Sequence, residues 1–266
     1  MAALKKENSS RGKTSAPAAS WNDFRSAVQF ITILPAGRTA GFSASGMIRF
    51  FPVVGLVAGM LLILVDRGAS FLWGPGTAAL LDVIFLAAVT GAFHLDGLGD
   101  TADGIFSHRP KERALEIMKD SRTGMMGLVA VICVLALKTA GIYSVKTAHP
   151  PHTVMLFLLI IPAYARTAML FGFRALPYGR PAGTGRDFFE RPVKTMDFAW
   201  FAIPLLLSVF TGAGFILLNG TFCLGVFLLL FFYKKKMECI TGDMLGAMTE
   251  IVEALLFLSA GIGVLS

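Results

Sequence analysis

Three aspartates punctuate the stretch HLDGLGDTADG, residues 94–104: Asp96, Asp100 and Asp103. On a helix these positions fall within about 60° of one another, on a single face. Carboxylates this close repel unless a cation or a proton neutralises them. A hard ion such as Mg²⁺, which takes carboxylate oxygens together with substrate phosphates, is the simplest neutraliser. The spacing excludes an EF-hand, whose ligands alternate along a loop. A zinc set is excluded too, because His94 lies about 160° from Asp96 on a helix and no cysteine is near. Gly97, Gly99 and Gly104 interrupt the same face, each at a cost of about 1 kcal/mol relative to alanine. They let a ligand or another backbone come close. The plainer alternative is a solvated helix end.

Two further groups of charges have chemical potential. In EIMKDSRTGMMG, Lys119, Asp120 and Arg122 abut an apolar run that opens at Gly124. The start of a helix attracts anions through its free N–H groups and its dipole. Metal-holding acids beside such bases point to a pyrophosphate site. In GDMLGAMTEIVEALLFL, Asp243 and Glu250 share a helical face and Glu253 lies about 60° further round. Glu250 and Glu253 fall inside an apolar run, where an unpaired carboxylate costs at least several kcal/mol. Arg166, in AYARTAM, is the expected partner, either as an interhelical ion pair or as part of a functional group; the residues leave both open. Lys138 lies in an apolar run and needs a partner as well. The stretch FRALPYGRPAGTGRDFFERPVKT, from residue 173, reads as an irregular loop. Arg180 and Arg186 beside Gly183-Thr184-Gly185 permit anion contact there.

The elements that must carry these residues are apolar. Of 266 residues 55% are hydrophobic and only 15% charged, with a mean hydropathy of +0.68. Soluble domains carry about 25% charged residues, so the solvent is lipid. The predicted fold class is all-α, a polytopic membrane bundle of about seven spans: 47–65, 76–95, 124–145, 153–172, 198–218, 221–233 and 244–265. The sixth is short and needs residues before Asn219-Gly220 or a thinned bilayer. Pro52, Gly55 and Gly59 predict a kink or a tight helix contact in the first. Lys and Arg crowd the alternate loops 96–123, 173–197 and 234–236 and the segment before the first span. Arg67 and Lys146 are the exceptions on the other side. That asymmetry puts the N-terminus in the cytoplasm.

The net charge of +7 is mostly this topological signal and makes no case for nucleic acid. Residues 1–20 read as a disordered basic tail, with Lys5, Lys6, Arg11 and Lys13, and 21–266 as a single transmembrane domain. Phe24, Ala27, Val28 and Ile31 predict a helix lying at the cytoplasmic interface. Cys133, Cys223 and Cys239 show no metal or redox spacing and read as buried packing.

QFITILP and FFPVVGLVAG, then HLDGLGDTADG with EIMKDSRTGMMG, AYARTAM, PYGRPAGTG and GDMLGAMTEIVEALLFL, occur in the order found in the cobalamin synthase family. The chain resembles these integral-membrane adenosylcobinamide-GDP ribazoletransferases from about residue 28 onwards. The resemblance implies attack by the ribose 3′-hydroxyl of α-ribazole, or of its 5′-phosphate, on the cobinamide-linked phosphorus of adenosylcobinamide-GDP. A cobamide forms and GMP leaves. It implies Mg²⁺ as cofactor, held by Asp96, Asp100 and Asp103, with Asp120 a further candidate. Lys119, Arg122, Arg166 and Arg180 would hold phosphates, and Asp243, Glu250 and Glu253 match its C-terminal acidic pattern. It also implies a multi-pass protein of the cell membrane, the inner one in a Gram-negative cell, with its site facing the cytoplasm. Assembly as a homo-oligomer is left open. Met125-Met126 departs from the smaller or polar residues more usual in the family.

The competing classes are other membrane transferases that use diphosphates, and a cation-coupled transporter. CDP-alcohol phosphotransferases have an Ala-Arg pair soon after the first acids, where this chain has Gly104-Ile105-Phe106. Prenyltransferases carry two aspartate-rich motifs whose spacing GDMLGAMTE does not match. A transporter is disfavoured by the gathering of acids on one face beside a basic loop, without an inverted repeat.

Overall fold

A computed structural model describes residues 16–37, 44–180 and 185–262. The first fifteen residues of the expected tail, Arg38, Gly183 and Thr184 lie outside the described residues. The chain between is helical: α1 (Ala16–Ile31), α2 (Ala44–Met47), α3 (Phe51–Leu72), α4 (Pro75–Val89), α5 (Phe93–Ile105), α6 (Lys111–Ile117), α7 (Met125–Ala148), α8 (Pro151–Ala175), α9 (Ala202–Ser208), α10 (Gly214–Lys236) and α11 (Gly242–Ala260). Prolines set several starts. Pro52, Pro75 and Pro151 stand in the first turns of α3, α4 and α8, where a fixed φ suits the helix and no N–H is missed. Pro52 therefore opens a helix and does not kink one.

The protein is an all-α polytopic membrane protein. Ala44–Leu72, α7, α8 and α10 are each long and apolar enough to cross a membrane. The expected span 76–95 is α4, a turn and only the first residues of α5, which continues as a helix through the expected loop. The helices α4 and α5 are bent by 87° and make a fifth if the pair counts as one broken span. At 1.5 Å per residue α5 is only about 20 Å long, too short to cross alone. The stretch 198–218 is not one helix. Short helical turns over Thr195–Thr211 stop at Gly212, whose φ is +63°. Residues from Gly214 onward join α10 instead, which answers the shortness of 221–233. The stretch 244–265 is α11, apolar but interrupted by its acids. Large side chains such as Leu64, Phe71, Ile132, Phe227 and Phe231 are exposed around the bundle, a surface that lipid tolerates and water does not.

Two helices make the centre. α11 packs against α5, α7, α8 and α10, while α8 packs most extensively against α3. Gly55 and Gly59 are the tight contact. A Cβ at Gly55 would stand 2.6 Å from the Pro162 carbonyl oxygen, and one at Gly59 2.8 Å from that of Leu158. The apolar face of α1 turns inward: Ala27, Val28 and Ile31 are buried and pack in the core with Phe51 and Phe188. The expected interfacial helix thus uses its apolar stripe on protein. Cys239 is buried as expected, whereas Cys133 and Cys223 are exposed free thiols, which the apolar surroundings of their helices permit.

The α3–α8 contact generates a prediction. Gly59→Leu should destabilise the detergent-solubilised protein by about 1–3 kcal/mol through overpacking. Gly68→Ala, in the same helix but with nothing within 4 Å of the new Cβ, should be neutral or stabilise by up to about 1 kcal/mol. Thermal unfolding of both variants decides it; equal melting temperatures would contradict the contact.

Candidate active site

The acidic helix α5 is held by backbone contacts on three sides. It leaves α4 through Gly91 and Ala92, both in the left-handed region with φ of 59° and 58°. Glycine adopts that conformation freely and alanine does so at a cost. A Cβ at Gly97 would stand 2.8 Å from the backbone oxygen of Asp243 on α11. One at Gly127 on α7 would stand 2.8 Å from the Gly99 oxygen, and one at Gly104 would stand 2.9 Å from Ala114 on α6. These glycines admit neighbouring backbones, so they set the position of the aspartates between them.

Asp103 has an assignment of its own. Its two carboxylate oxygens accept the N–H groups of Gly124 at 2.6 Å and Gly127 at 2.8 Å, so it caps α7 from another helix. The helix start that the sequence offered to a substrate anion already holds this internal one. Any side chain at Gly124 or Gly127 would run into the same carboxylate.

Asp96 is exposed and Asp100 half-buried. Among the described residues neither carboxylate has a hydrogen bond or an ion pair. The charges facing Asp100 are Asp96, Asp243 and Asp103, opposed by Arg180. Arg180 pairs with Asp243 and donates to the Met118 carbonyl at 3.3 Å. Its segment is fixed to the foot of α11 by a short parallel bridge, with Gly179 N–H donating to Ile240 and Ile240 N–H to Pro177, both at 2.9 Å. Thr241 caps α11, accepting the Met244 N–H at 3.3 Å, and so places Asp243 in the first turn. Two carboxylates without partners therefore stand beside an arginine–aspartate pair.

Asp120 and Arg122 bind each other at the surface, with Nη2 to Oδ2 at 2.5 Å and a further bond from Arg122 N–H at 3.1 Å. These bonds hold the Asp120 carboxyl down at about 2 from its ordinary 3.8. Its folded value is depressed, so its contribution to stability is complete above its unfolded value and lost as pH falls through about 2. Lys119 is exposed and without a partner among the described residues.

The other acids lie elsewhere. Lys138 Nζ sits 2.6 Å from both Glu250 and Glu253. Arg166 pairs with Glu253 and donates to the Pro162 carbonyl at 3.2 Å. All four side chains are fully enclosed, and two positive charges balance two negative ones. Arg166 meets Glu253, one of the two glutamates the sequence offered it, whereas Glu250 pairs with Lys138, which bridges both. Enclosure leaves none of the four facing the open carboxylates. His94, which helical geometry separates from Asp96, is 1% exposed and both its ring nitrogens are buried without a partner.

Among the described residues no three carboxylate, imidazole or thiol groups stand close enough to hold one ion between them. Mg²⁺ that keeps its waters and takes substrate phosphates needs only one or two carboxylates. Asp96 and Asp100 supply oxygen donors with no other engagement, which fits that smaller demand.

The long apolar helices define an integral-membrane protein, and its unengaged acids stand beside an arginine on a helix wedged into the bundle. The family model for cobalamin-5-phosphate synthase matches residues 23–261, and the chain belongs to that family. It is 38% identical to the adenosylcobinamide-GDP ribazoletransferase of Alkaliphilus metalliredigens (strain QYMF), over 87% of this chain and 92% of the relative. Relatives with the same name in Roseiflexus sp. (strain RS-1) and Synechococcus elongatus (strain ATCC 33912 / PCC 7942 / FACHB-805) are 35% and 34% identical. They cover 90% and 91% of this chain, and 90% and 97% of their own lengths. No solved structure matches significantly.

The enclosed quartet and the cap give separable outcomes. Lys138→Met leaves two buried carboxylates with one cation and should cost about 3–5 kcal/mol. Asp103→Ala removes a helix cap and should cost about 0.5–2 kcal/mol. Unfolding measured in one detergent should rank them in that order, and a harmless Lys138→Met would contradict the quartet.

Proposed function

We propose that this chain joins α-ribazole, or its 5′-phosphate, to adenosylcobinamide-GDP with release of GMP, completing the nucleotide loop of cobalamin. The names of its relatives support the reaction, and the observation that carries the site is the pair of unengaged carboxylates, Asp96 and Asp100, beside Arg180. In this reading the acceptor's ribose 3′-hydroxyl loses its proton and forms a P–O bond to the cobinamide-linked phosphorus. The anhydride P–O bond to GMP breaks. Phosphoryl transfer asks for positioning and charge neutralisation more than for covalent chemistry by the protein.

Arg180 neutralises the diphosphate, aided at the rim by Lys119 and by Arg122 once it exchanges Asp120 for substrate. Asp96 and Asp100 would hold Mg²⁺, which when bound would supply charge neutralisation at the phosphate oxygens. Asp103 keeps α7 in place beside them, and Asp243 orients Arg180. The hydroxyl proton would pass to a carboxylate of this site within hydrogen-bond reach. Arg166, Glu250 and Glu253 support the site from within the bundle. The crowding of Lys and Arg in the loops around the site supports a cytoplasmic mouth, where a GDP-linked substrate is at hand.

Membranes carrying Asp96→Ala or Asp100→Ala should release GMP from adenosylcobinamide-GDP and α-ribazole about 100-fold more slowly than wild type, with insertion unchanged. Near-normal turnover by both variants would remove them as metal ligands. Arg180→Ala should raise the KM for adenosylcobinamide-GDP about tenfold or more, the scale of a lost charge-assisted contact; an unchanged KM and turnover would exclude it from the site.

A further inference from the structure

The end of the bundle away from the α5 carboxylates carries a second polar site. Gly127, which meets Asp103, and Lys146 stand at opposite ends of α7, about 28 Å apart at 1.5 Å per residue. A recess of about 210 Å³ opens beside Lys146, where α3 and α7 end and α4 and α8 begin. Its polar walls are Asp66, Arg67, Ser70, Trp73, Lys146 and His149.

Several of these groups engage one another or the backbone. Lys146 pairs with Asp66 and with Asp82, whose Oδ2 lies 2.9 Å from Nζ. Ser70 donates to Asp66 Oδ1 at 3.2 Å, and His149 Nε2 donates to the Ala260 carbonyl at 2.7 Å. Two needs remain. Asp66 and Asp82 share one ammonium, which leaves one negative charge in excess where an unanswered charge is costly. Asp82 is fully enclosed, whereas Asp66 keeps 6% of its side chain open. Its Oδ2 accepts no hydrogen bond among the described residues and, unlike both oxygens of Asp82, is not sealed. The second need is that of Arg67, which is exposed and without a partner among the described residues. With Arg67 counted, the charges of the group sum to zero. An anion alone would leave Asp66 unanswered, and a simple cation would leave Arg67 so. A zwitterion answers both.

The helix that carries Arg67 narrows the choice of zwitterion. Met60, Leu64, Arg67 and Phe71 are spaced i, i+4, i+7 and i+11, which puts them within about 60° on one face of α3. The three apolar side chains are exposed, on a helix long and apolar enough to cross a membrane, so this face meets acyl chains. An arginine on such a face extends its charge to the level of the headgroups. Trp73, exposed just beyond the end of α3, is of the type that settles at the lipid–water interface. The recess therefore lies where lipid phosphates and headgroups run.

We propose that it seats the headgroup of a phospholipid with a primary ammonium, of the phosphatidylethanolamine type. The phosphate meets Arg67, the ammonium donates to Asp66 Oδ2, and the chains follow Met60, Leu64 and Phe71. The bound lipid ties α3 to α7 through Asp66 and Lys146. Nothing in this site depends on which reaction the α5 carboxylates support.

The full chain, delipidated in detergent, is titrated with phosphatidylethanolamine, phosphatidylglycerol and phosphatidylcholine of identical chains, and bound lipid is read by native mass spectrometry. Phosphatidylglycerol lacks the ammonium, and phosphatidylcholine has one without an N–H. Wild type should bind phosphatidylethanolamine about tenfold more tightly than either, the scale of one charge-assisted hydrogen bond. Arg67→Gln should weaken that binding about tenfold, and Asp66→Asn should erase the preference. If Asp66→Asn does not fold, the wild-type preference and the exposed Arg67→Gln variant decide. Equal binding of the three lipids by wild type, the result if a proton answers the excess charge, overturns the proposal. Unchanged binding by Arg67→Gln, or a preference kept by Asp66→Asn, does so too. Water-soluble glycerophosphoethanolamine has the headgroup without chains and should bind at least about 100-fold more weakly than the lipid. Equal binding would assign the recess to a soluble phosphoester and overturn the lipid.

Discussion

A carboxylate on a helix in a membrane bundle must be answered, because low dielectric makes an isolated charge too costly to keep. This chain meets that constraint group by group. Asp66 and Asp82 share Lys146, with Asp82 Oδ2 2.9 Å from its Nζ. Glu250 and Glu253 share Lys138, and Glu253 also has Arg166. Asp243 has Arg180, and Asp103 has the first amides of α7. Among the described carboxylates on α3, α4, α5 and α11, those of Asp96 and Asp100 alone have neither an ion pair nor a hydrogen bond. In the proposed reaction a cation and a polyanionic substrate would answer them, and backbone contacts with α6, α7 and α11 fix the helix that carries them.

The placement is made by close backbone contact. α5 cannot span the membrane by itself and owes its position to α11 on one side and α7 on another. Gly97 and Gly246 let α5 meet α11, where a Cβ at Gly246 would come 3.3 Å from His94. The enclosed quartet ties α11 to α7 and α8 through Lys138 and Arg166. Removing one member of such a set is expensive, although replacing the whole set by apolar groups need not be. Its value here is geometric: the three helices that bear on the acidic arm are fixed in register.

Much of this was legible in the residues. The i, i+4, i+7 spacing of the aspartates placed them on one helix, and the apolar runs marked the lipid-facing helices. The cost of burying Glu250 and Glu253 required a cation for each, and Arg166, offered to both, meets Glu253. The remainder depends on contacts between distant segments. Nothing local distinguishes Asp103, which caps α7 across 21 residues, from Asp96, which has no partner. A hydropathy pattern runs α4 on into the first residues of α5 because it cannot register the turn at Gly91-Ala92. It reads α11 as a span because it averages acids that are neutralised from other helices. Lys138 signalled only the need for a partner. His94 gave a weaker signal still, since a histidine on an apolar stretch carries no mark of whether its nitrogens are satisfied.

The account is tested most directly by Mn²⁺, used as a paramagnetic substitute for Mg²⁺. Spin resonance of the detergent-solubilised protein with adenosylcobinamide-GDP should show bound Mn²⁺ whose signal disappears when Asp96 and Asp100 are both replaced by asparagine and persists when Asp120 is. Equal Mn²⁺ binding by wild type and the double variant would show that these carboxylates do not hold the ion, and would contradict the account at its centre.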